Sequence, residues 1–254
     1  MMKINYIIAI PTYKRYNILI NMTLKTILDS NINPKKIYIF VADSNEYNQY
    51  KSILPKNTYN KIIIGKLGID KQRKFITNYF DEGTPVVFMD DDIQSIQILK
   101  GDKLIKLKNI DKFIQSAFNE CINQGLYLWG IYPVNNPFFM KSRPEITNKL
   151  RFILGTLYGQ IIRHSKDLIT HAKEKEDIEN SILHFIKDGG VIRYEKITIK
   201  TKFYNKNGGI STMFSDRSKV NEADAKYLQK KYPEYGKIWQ RKNGVYEFRL
   251  KNFK

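Results

Sequence analysis

The sequence predicts an α/β fold in which a mainly parallel central sheet is flanked by helices. Short apolar runs at residues 4–10, 37–42, 62–64 and 85–89 alternate with segments of helical periodicity. Each run stops at proline, glycine or acidic residues, which end strands readily. Strands that alternate with helices in this way are typical of parallel sheets.

The first hundred residues contain four such strands. The first stops at Pro11, which has no N–H to donate to a sheet. A helix with apolar residues at positions 20, 24, 27 and 28 follows and ends at residues 31–34. After the third strand, Asp70 is expected to cap a helix that carries Phe75, Ile76, Tyr79 and Phe80.

The second half of the chain is less regular. We expect a helix from Asp111, a strand at 127–132, a loop at 133–144, a strand at 155–163 and a helix near Asp177. The tail adds a turn at Gly208 and Gly209, a helix at 222–231 and a strand at 245–250. There is no internal repeat or linker, so one domain is expected, although two closely fused halves also fit 254 residues.

Composition limits the class of protein. No apolar run approaches the roughly 20 residues that cross a bilayer, so no membrane span is expected. The N-terminus enters a strand without a cleavage site, which indicates a cytoplasmic protein with no export signal. The single cysteine, Cys121, excludes an internal disulfide and argues against a cysteine metal site.

The formal charge of +18 points to a polyanionic partner, because a basic surface attracts phosphate-bearing chains. Residues 190–254 contain 16 Lys and Arg against 6 Asp and Glu, so the tail is the most basic region. The chain is also rich in Lys, Asn, Ile and Tyr, as expected of an AT-rich genome. Nucleic-acid binding and codon drift on a solvated surface therefore explain the charge equally well.

Three aspartates, Asp90, Asp91 and Asp92, directly follow the fourth strand. A parallel strand brings the residues after it to the edge of the sheet where α/β proteins bind ligands. Side chains at i and i+2 of an extended segment point the same way, so Asp90 and Asp92 are candidates to share a divalent cation. Such an ion would stabilise a departing nucleoside diphosphate. The alternative is a solvated or helix-capping acidic turn.

Loops after the other strands reach the same edge. Residues 10–16 begin where the first strand ends and are candidates to embrace a nucleoside. Asp43 ends the second strand and either accepts a hydrogen bond from uracil or caps its own turn. Arg73, in the helix that starts after Gly68, is placed to reach phosphate, although a solvated helix face explains it too.

Glu176 and Asp177 stand at the start of a helix that is expected to be anchored to the core by Ile178, Ile182, Phe185 and Ile186. A carboxylate held there can act as the general base that takes the proton of an acceptor hydroxyl in an inverting transfer. Asp177 is the first candidate and Glu176 the second. From the residues alone, capping and compensation of the helix dipole is the simpler explanation.

The tail interleaves aromatic residues with cations that are candidates to grip nucleic acid by charge and stacking. These cations are Lys237, Arg241, Lys242, Arg249 and Lys251. Core packing of the neighbouring aromatics is the alternative. The three histidines of the chain show no metal-ligand spacing.

Four segments together carry a family pattern. They are Ile-Pro-Thr-Tyr-Lys-Arg at 10–15, Gly-Ile-Asp-Lys-Gln-Arg at 68–73, Met-Asp-Asp-Asp at 89–92 and Lys-Glu-Asp at 175–177. Over about residues 4–215 the chain resembles the GT-A glycosyltransferases. More narrowly, it resembles the DNA base glycosyltransferases related to the base J glucosyltransferase, the TET-associated type found in viruses, phages and some protists.

The resemblance implies the GT-A (nucleotide-diphospho-sugar transferase) fold as a single domain over residues 1–254. Residues 1–100 would bind the nucleotide-sugar, 101–190 would carry the acceptor site with the catalytic acid, and 191–254 would be a basic C-terminal region. A viral member would act in the host cytoplasm.

The resemblance also assigns a role to each candidate. The donor, a UDP-sugar, would be bound by Pro11, Thr12, Arg15, Asp43, Gln72, Arg73, Asp90 and Asp91. Asp90 and Asp92 would hold Mn²⁺ or Mg²⁺, and Asp177 would be the base, with Glu176 beside it. Many GT-A enzymes take a third metal ligand from a late histidine, but no histidine follows His184. Water and the diphosphate must then complete the metal shell, or metal dependence is weaker.

The implied reaction is an inverting transfer of a hexose, with glucose the first candidate, from a UDP-sugar to a hydroxymethylated pyrimidine in double-stranded DNA. Such a base must enter the site by flipping or through a groove. A GT-A enzyme with a glycan, lipid-linked or protein acceptor is the alternative. A non-catalytic nucleic-acid-binding module is the third possibility, and a nucleotidyltransferase is disfavoured by the lack of a phosphate-loop motif.

Overall fold

An eight-stranded sheet forms the centre of the computed structural model, which describes residues 2–201 and 217–251. In chain order the described strands are β1 (Ile7–Pro11), β2 (Ile37–Val41), β3 (Lys61–Ile64), β4 (Pro85–Met89), β5 (Ile93–Lys100), β6 (Lys103–Lys106), β7 (Leu128–Ile131), β8 (Ile146–Thr147), β9 (Leu157–Ile161), β10 (Ile192–Tyr194), β11 (Ile197–Thr201), β12 (Gly236–Gln240) and β13 (Tyr246–Leu250). The central sheet has the order β3-β2-β1-β4-β9-β7-β10-β8.

Helices connect these strands. They are α1 (Tyr16–Leu19), a π-helical turn (Ile20–Leu24), α2 (Lys25–Leu28), α3 (Ser44–Ile53), α4 (Ile69–Tyr79), α5 (Ile110–Gln124), α6 (Glu176–Asp188) and α7 (Arg217–Lys231). Two smaller sheets lie outside the central one, with the orders β11-β5-β6 and β12-β13.

The strand directions confirm the predicted fold class. Strands β1 to β4 run parallel to one another, and β10 runs parallel to β7. Strand β9 lies antiparallel between β4 and β7, and the short β8 is antiparallel to β10. Six strands therefore share one direction, and their C-terminal ends meet at one edge of the sheet.

Both faces of the central sheet are covered. Ile8 and Ile10 of β1 belong to a core cluster on one face, whereas Ala9 between them packs into a second cluster on the other. Such continuous apolar strands are typical of parallel sheets with helices on both sides. A third cluster, which includes Ile182 and Phe248, joins α6 to α7 and the β12–β13 hairpin.

Several local predictions were wrong. Helix α3 was missed because its mean hydropathy is low, and only Glu46 and Tyr50 of its residues are buried. Gly68, not Asp70, precedes α4, and Asp70 lies in the first turn. On α6, Ile186 is 49% exposed and His184 is fully buried. The buried face of this helix is therefore rotated relative to the predicted face, which included Ile186.

The predicted turn at Gly208 and Gly209 lies outside the described residues. Among residues 2–201 and 217–251, none of the helices combines the length and apolar character that crossing a bilayer requires.

Candidate active site

The predicted site segments converge on the C-terminal edge of the parallel strands. The loop after β1, the acidic turn at 90–92 after β4 and the N-terminal part of α4 all lie there. The first turn of α6 joins them through Arg73, which contacts both Asp90 and Glu176. Parallel strands explain the convergence of the first segments, since their C-terminal ends share one edge.

Asp91 faces the protein interior and is 4% exposed. Thr12 Oγ1 donates to its Oδ2 at 2.7 Å, and Arg15 Nη1 donates to its Oδ1 at 3.3 Å. Tyr50 accepts from the Arg15 backbone N–H at 2.9 Å and is 2.8 Å from Thr12 Oγ1. Since the Thr12 proton is directed at Asp91, Tyr50 is the donor to Thr12. This network fixes the loop after β1 against the acidic turn.

Burial raises the pKa of Asp91 to about 6, against the opposing effects of Arg15 and Thr12. The middle aspartate therefore positions the loop, and its expected contact with the donor stays a prediction. Thr12 is buried and its hydroxyl is already used, so it too acts within the network.

Gln72 and Asp43 are likewise engaged within the protein. The Gln72 side chain is buried, accepts from Lys66 N at 2.7 Å and donates to Val41 O at 3.1 Å. Asp43 accepts from Glu46 N at 2.9 Å as the N-cap of α3. The capping alternative for Asp43 is thus observed, and contact of Asp43 and Gln72 with a donor stays a prediction. Pro11 ends β1 as expected.

Asp90 and Asp92 are the two partly exposed carboxylates of the acidic turn, at 31% and 22% of their side-chain area. Burial, followed by the charges of Asp90 and Asp91, raises the pKa of Asp92 to about 7. Arg15 Nη1, at 3.6 Å from Asp92 Oδ2, opposes this rise. Arg15 therefore does not fully offset the effects that disfavour the ionised form of Asp92. Across the described residues, no group of three or more His, Cys, Asp or Glu side chains is arranged to hold a metal.

Arg73 connects the acidic turn to α6. Its Nη1 forms an ion pair with Glu176 Oε1, and its Nη2 donates to Asp90 Oδ1 at 3.0 Å and to Gly155 O at 2.7 Å. Burial opposes the charge of Arg73, but Glu176 and Asp90 outweigh it and raise the pKa. The guanidinium is thus a permanent cation among three carboxylates, those of Glu176, Asp90 and Asp177.

Gly155 leaves room for this guanidinium. A Cβ atom added at position 155 would lie 2.5 Å from Arg73 Nη1 and 3.0 Å from Cζ. Because the guanidinium is held from three sides, it cannot move away freely. Glycine is required here for close approach and not for backbone conformation, which sequence reading did not detect.

Glu176 and Asp177 occupy the first two positions of α6, after Lys175, which makes no side-chain cap. Burial raises the pKa of both carboxyl groups, and Arg73 opposes this rise in each case. Asp177 Oδ2 accepts from Gly155 N at 3.2 Å and Oδ1 from Ile178 N at 2.8 Å. Glu176 is occupied by Arg73, whereas the described residues give Asp177 only backbone N–H donors.

Helix α7 braces the segment that leads into these acids. One carboxylate oxygen of Asp224 accepts the consecutive backbone N–H groups of Lys173, Glu174 and Lys175, at 2.8, 2.6 and 3.2 Å. Lys175 Nζ, almost fully buried, pairs with Glu247 of β13 at 3.4 Å. The C-terminal elements therefore hold the start of α6, and no local sequence signal indicated this role for Asp224.

The candidate nucleic-acid residues lie on the exposed face of the β12–β13 hairpin, at its tip and just after it. The register pairs Lys237 with Arg249, and Arg249 lies over the Trp239 ring at 5.4 Å. Trp239 is 45% exposed, while Phe248 packs into the third core cluster. Core packing is thus observed for Phe248, whereas Trp239 is exposed beside these cations, and nucleic-acid binding by the tail stays a prediction.

Two of the five tail cations form an ion pair or a hydrogen bond within the described protein. Arg241 pairs with Glu247 at 2.8 Å, and Lys251 Nζ donates to Pro233 O at 3.1 Å. Lys237 and Lys242 are exposed and form no ion pair with any residue that the structure describes. The hairpin therefore presents positive charge around one exposed indole.

No protein-family model and no curated protein matches the chain. Solved structures do match. S. aureus TarS residues 1–349 in complex with UDP-GlcNAc has a TM-score of 0.56 and 14% identity, over 89% of this chain and 67% of that one. The chain thus spans about two thirds of that TarS fragment.

Glucosyl-3-phosphoglycerate synthase from Mycobacterium tuberculosis, in complex with Mn²⁺, UDP-glucose and phosphoglyceric acid, has a TM-score of 0.51 and 11% identity. That match covers 98% of this chain and 88% of the synthase. At such identities the similarity is one of architecture. The chain therefore shares the GT-A fold of these structures.

Proposed function

We propose that the protein is a metal-dependent, inverting glycosyltransferase that moves a hexose, with glucose the first candidate, from a UDP-sugar to a hydroxymethylated pyrimidine in DNA. One feature supports this above all others. Two acidic segments, residues 90–92 and 176–177, meet at Arg73 on the edge where α/β proteins bind ligands. A donor site and a general base are thereby adjacent.

Asp90 and Asp92 are the proposed metal ligands. They are neighbouring, partly exposed carboxylates, and the pKa of Asp92 is raised by burial and by the adjacent aspartates, so added positive charge such as Mg²⁺ or Mn²⁺ would favour its ionised form. Magnesium is commonly held by one or two carboxylates together with substrate phosphates, so a third protein ligand is not required. When bound, the ion would neutralise the charge that develops on the departing diphosphate. The synthase complex with Mn²⁺ and UDP-glucose supports this choice by analogy.

Asp177 is the proposed base. Its two oxygens accept backbone N–H groups and leave lone pairs available, whereas Glu176 is tied to Arg73. In the transfer, the acceptor hydroxyl oxygen forms a bond to the anomeric carbon while the bond to UDP breaks. Its proton passes to Asp177, and the bonding electron pair leaves with the diphosphate. Arg73 keeps both acids oriented and balances their charge.

The DNA acceptor is supported by charge. The chain carries +18, and the hairpin presents Lys237, Lys242 and Arg249 around the exposed Trp239. Cations beside an aromatic side chain are a common way of holding nucleic-acid strands. A small anionic acceptor is the second candidate, because the synthase of the same fold is found with phosphoglyceric acid. We propose residues 1–100 for the donor, 101–190 for the acceptor and 191–254 for the basic region.

The deciding experiment is nucleoside mass spectrometry after incubation with UDP-glucose, Mn²⁺ and matched duplexes. The duplexes contain cytosine, hydroxymethylcytosine, thymine or hydroxymethyluracil. We expect a hexose mass on one hydroxymethylated base, and its loss in Asp92→Asn and Asp177→Asn. Asp167→Asn, a change of the same type at an exposed site, serves as the control and should retain the product.

Thermal melts separate the remaining candidates. UDP with Mn²⁺ should raise the melting temperature of the wild type, because a ligand that binds only the folded state stabilises it. Stabilisation without transfer to any duplex would favour the non-nucleic acceptor. No stabilisation and no transfer, with retained DNA binding, would reject the enzyme in favour of a binding module.

A further inference from the structure

A cavity of about 340 Å³ opens beside the two acids of α6. It lies between α4 and α6, on the face of the sheet that carries Tyr158 and Gln160 of β9. Glu176 and Asp177 line one part of it, and Asn180, one turn further along α6, lines the adjoining wall. Its volume is within the lower range of small-molecule sites.

The Gln160 side chain is buried in this wall without a hydrogen bond. The residue is 5% exposed, and its amide has no partner among residues 2–201 and 217–251. The amide of Asn180 is likewise without a partner in the described chain. Buried polar groups are nearly always hydrogen-bonded, because an unpaired one loses its hydration without compensation. The Gln160 amide therefore takes its hydrogen bonds from whatever fills the cavity, and the half-buried Asn180 amide beside it is available to the same polar ligand.

The rest of the cavity wall adds positive charge. Lys74 of α4 and Lys166 line it, and neither forms an ion pair with a described residue. Arg163 also lines it, but both of its terminal nitrogens are bonded to Asp188, at 2.7 and 2.6 Å. The two lysines are thus the cations available to an anionic group of the ligand.

We propose that this cavity is the acceptor subsite and that it takes a pyrimidine nucleotide extruded from the DNA strand. This assignment rests on the proposed function, which it deepens. A primary amide offers one donor and one acceptor side by side, which matches the donor–acceptor edge of a pyrimidine. Gln160 and Asn180 read that edge, Lys74 and Lys166 hold flanking phosphates, and the hydroxymethyl group reaches Asp177.

This arrangement explains how one base is selected. Enzymes that modify bases read the flipped base by hydrogen bonds to its edge, inside a fitted pocket. A site that hydrogen-bonds its substrate rejects analogues that leave its buried polar groups unpaired. Cytosine and uracil derivatives present different edges, so Gln160 and Asn180 become the residues that determine the accepted base.

The test replaces each amide by an apolar side chain of similar size, in Gln160→Leu and Asn180→Leu. Gln49→Leu makes the same change at an exposed position of α3 and serves as the control. For the hydroxymethylated duplex that the wild type uses, we expect KM to rise about 10-fold or more in each cavity variant. The control should be unchanged, and the melting shift produced by UDP with Mn²⁺ should persist in all three.

A second arm does not depend on transfer. Binding of hydroxymethyl-dUMP and hydroxymethyl-dCMP is measured by calorimetry, with glucose 6-phosphate and phosphoglyceric acid as the other probes. We expect the wild type to bind one of the two nucleotides and Gln160→Leu to lose that binding. If the wild type modifies no DNA but shows this pattern, the proposed function fails and the subsite stands. Unchanged KM and nucleotide binding in both cavity variants, or binding of only the other probes, would overturn the subsite.

Discussion

Removal of the Asp224 carboxylate tests whether α7 holds the segment that carries the proposed base. One oxygen accepts three consecutive N–H groups, from Lys173 to Lys175, immediately before Glu176 and Asp177. Hydrogen bonds to a charged group contribute about 1.5–3 kcal/mol each, but water replaces part of this and the three are not independent. We therefore expect Asp224→Ala to lower the free energy of unfolding by about 3 kcal/mol. For a chain of this size that lowers Tm by roughly 6–12 °C.

The assay combines thermal unfolding with kinetics well below Tm. Asp224→Asn keeps one acceptor oxygen, so its free energy of unfolding should fall by only about 1 kcal/mol. Asp167→Asn, at an exposed position, should have the Tm of the wild type. In Asp224→Ala, kcat should fall about 10-fold or more in the folded protein, because the proposed base, Asp177, is displaced and loses its alignment. An unchanged Tm in Asp224→Ala would refute the role of Asp224 in holding residues 173–175. A lowered Tm with an unchanged kcat would limit Asp224 to stability.

Three further outcomes are expected. Gly155→Ala should lower the free energy of unfolding by about 1–3 kcal/mol, because the added Cβ would lie 2.5 Å from Arg73 Nη1. In an Arg73→Ala background the same substitution should have almost no effect, and a double-mutant cycle measures this difference. Burial lowers the pKa of His184 to about 4, so the unfolded chain takes up a proton first as the pH falls below about 6.5. Stability should then fall by about 3 kcal/mol between pH 6.5 and 4, and denaturant melts of His184→Leu should lack that part of the decline. Burial raises the pKa of Asp177. On acidification, a transfer that needs ionised Asp177 should therefore lose activity at a higher pH than one that depends on an aspartate of ordinary pKa. A pH profile of kcat/KM checks this.

Much of the fold of the first hundred residues could be predicted from local pattern. The apolar runs that became β1 to β4 are short, buried on both faces and bounded by residues that end strands. Their order along the chain indicated a parallel sheet, and the acidic turn followed β4 directly. Hydrophobic periodicity and turn chemistry are local properties, so a single sequence reveals them.

The direction of individual side chains was harder to predict. Asp91 and Gln72 were expected to contact the donor, but each turned out to be buried and bonded to neighbouring loops. Helix α3, which supplies Tyr50 to that network, lacks an apolar stripe and left little signal. A loop side chain takes its direction from the groups that satisfy its hydrogen bonds, and these come from other parts of the chain.

The sequence by itself determined the α/β class, the strands that lead to the site and the positions of its acids, since these depend on residue type and spacing over a few turns. Only the tertiary structure decided which of those acids meet. Arg73 reaches Glu176 across 103 residues, and Asp224 reaches Lys175 across 49. Contacts at such separations depend on how helices and sheet pack together, and short-range pattern carries no record of that packing.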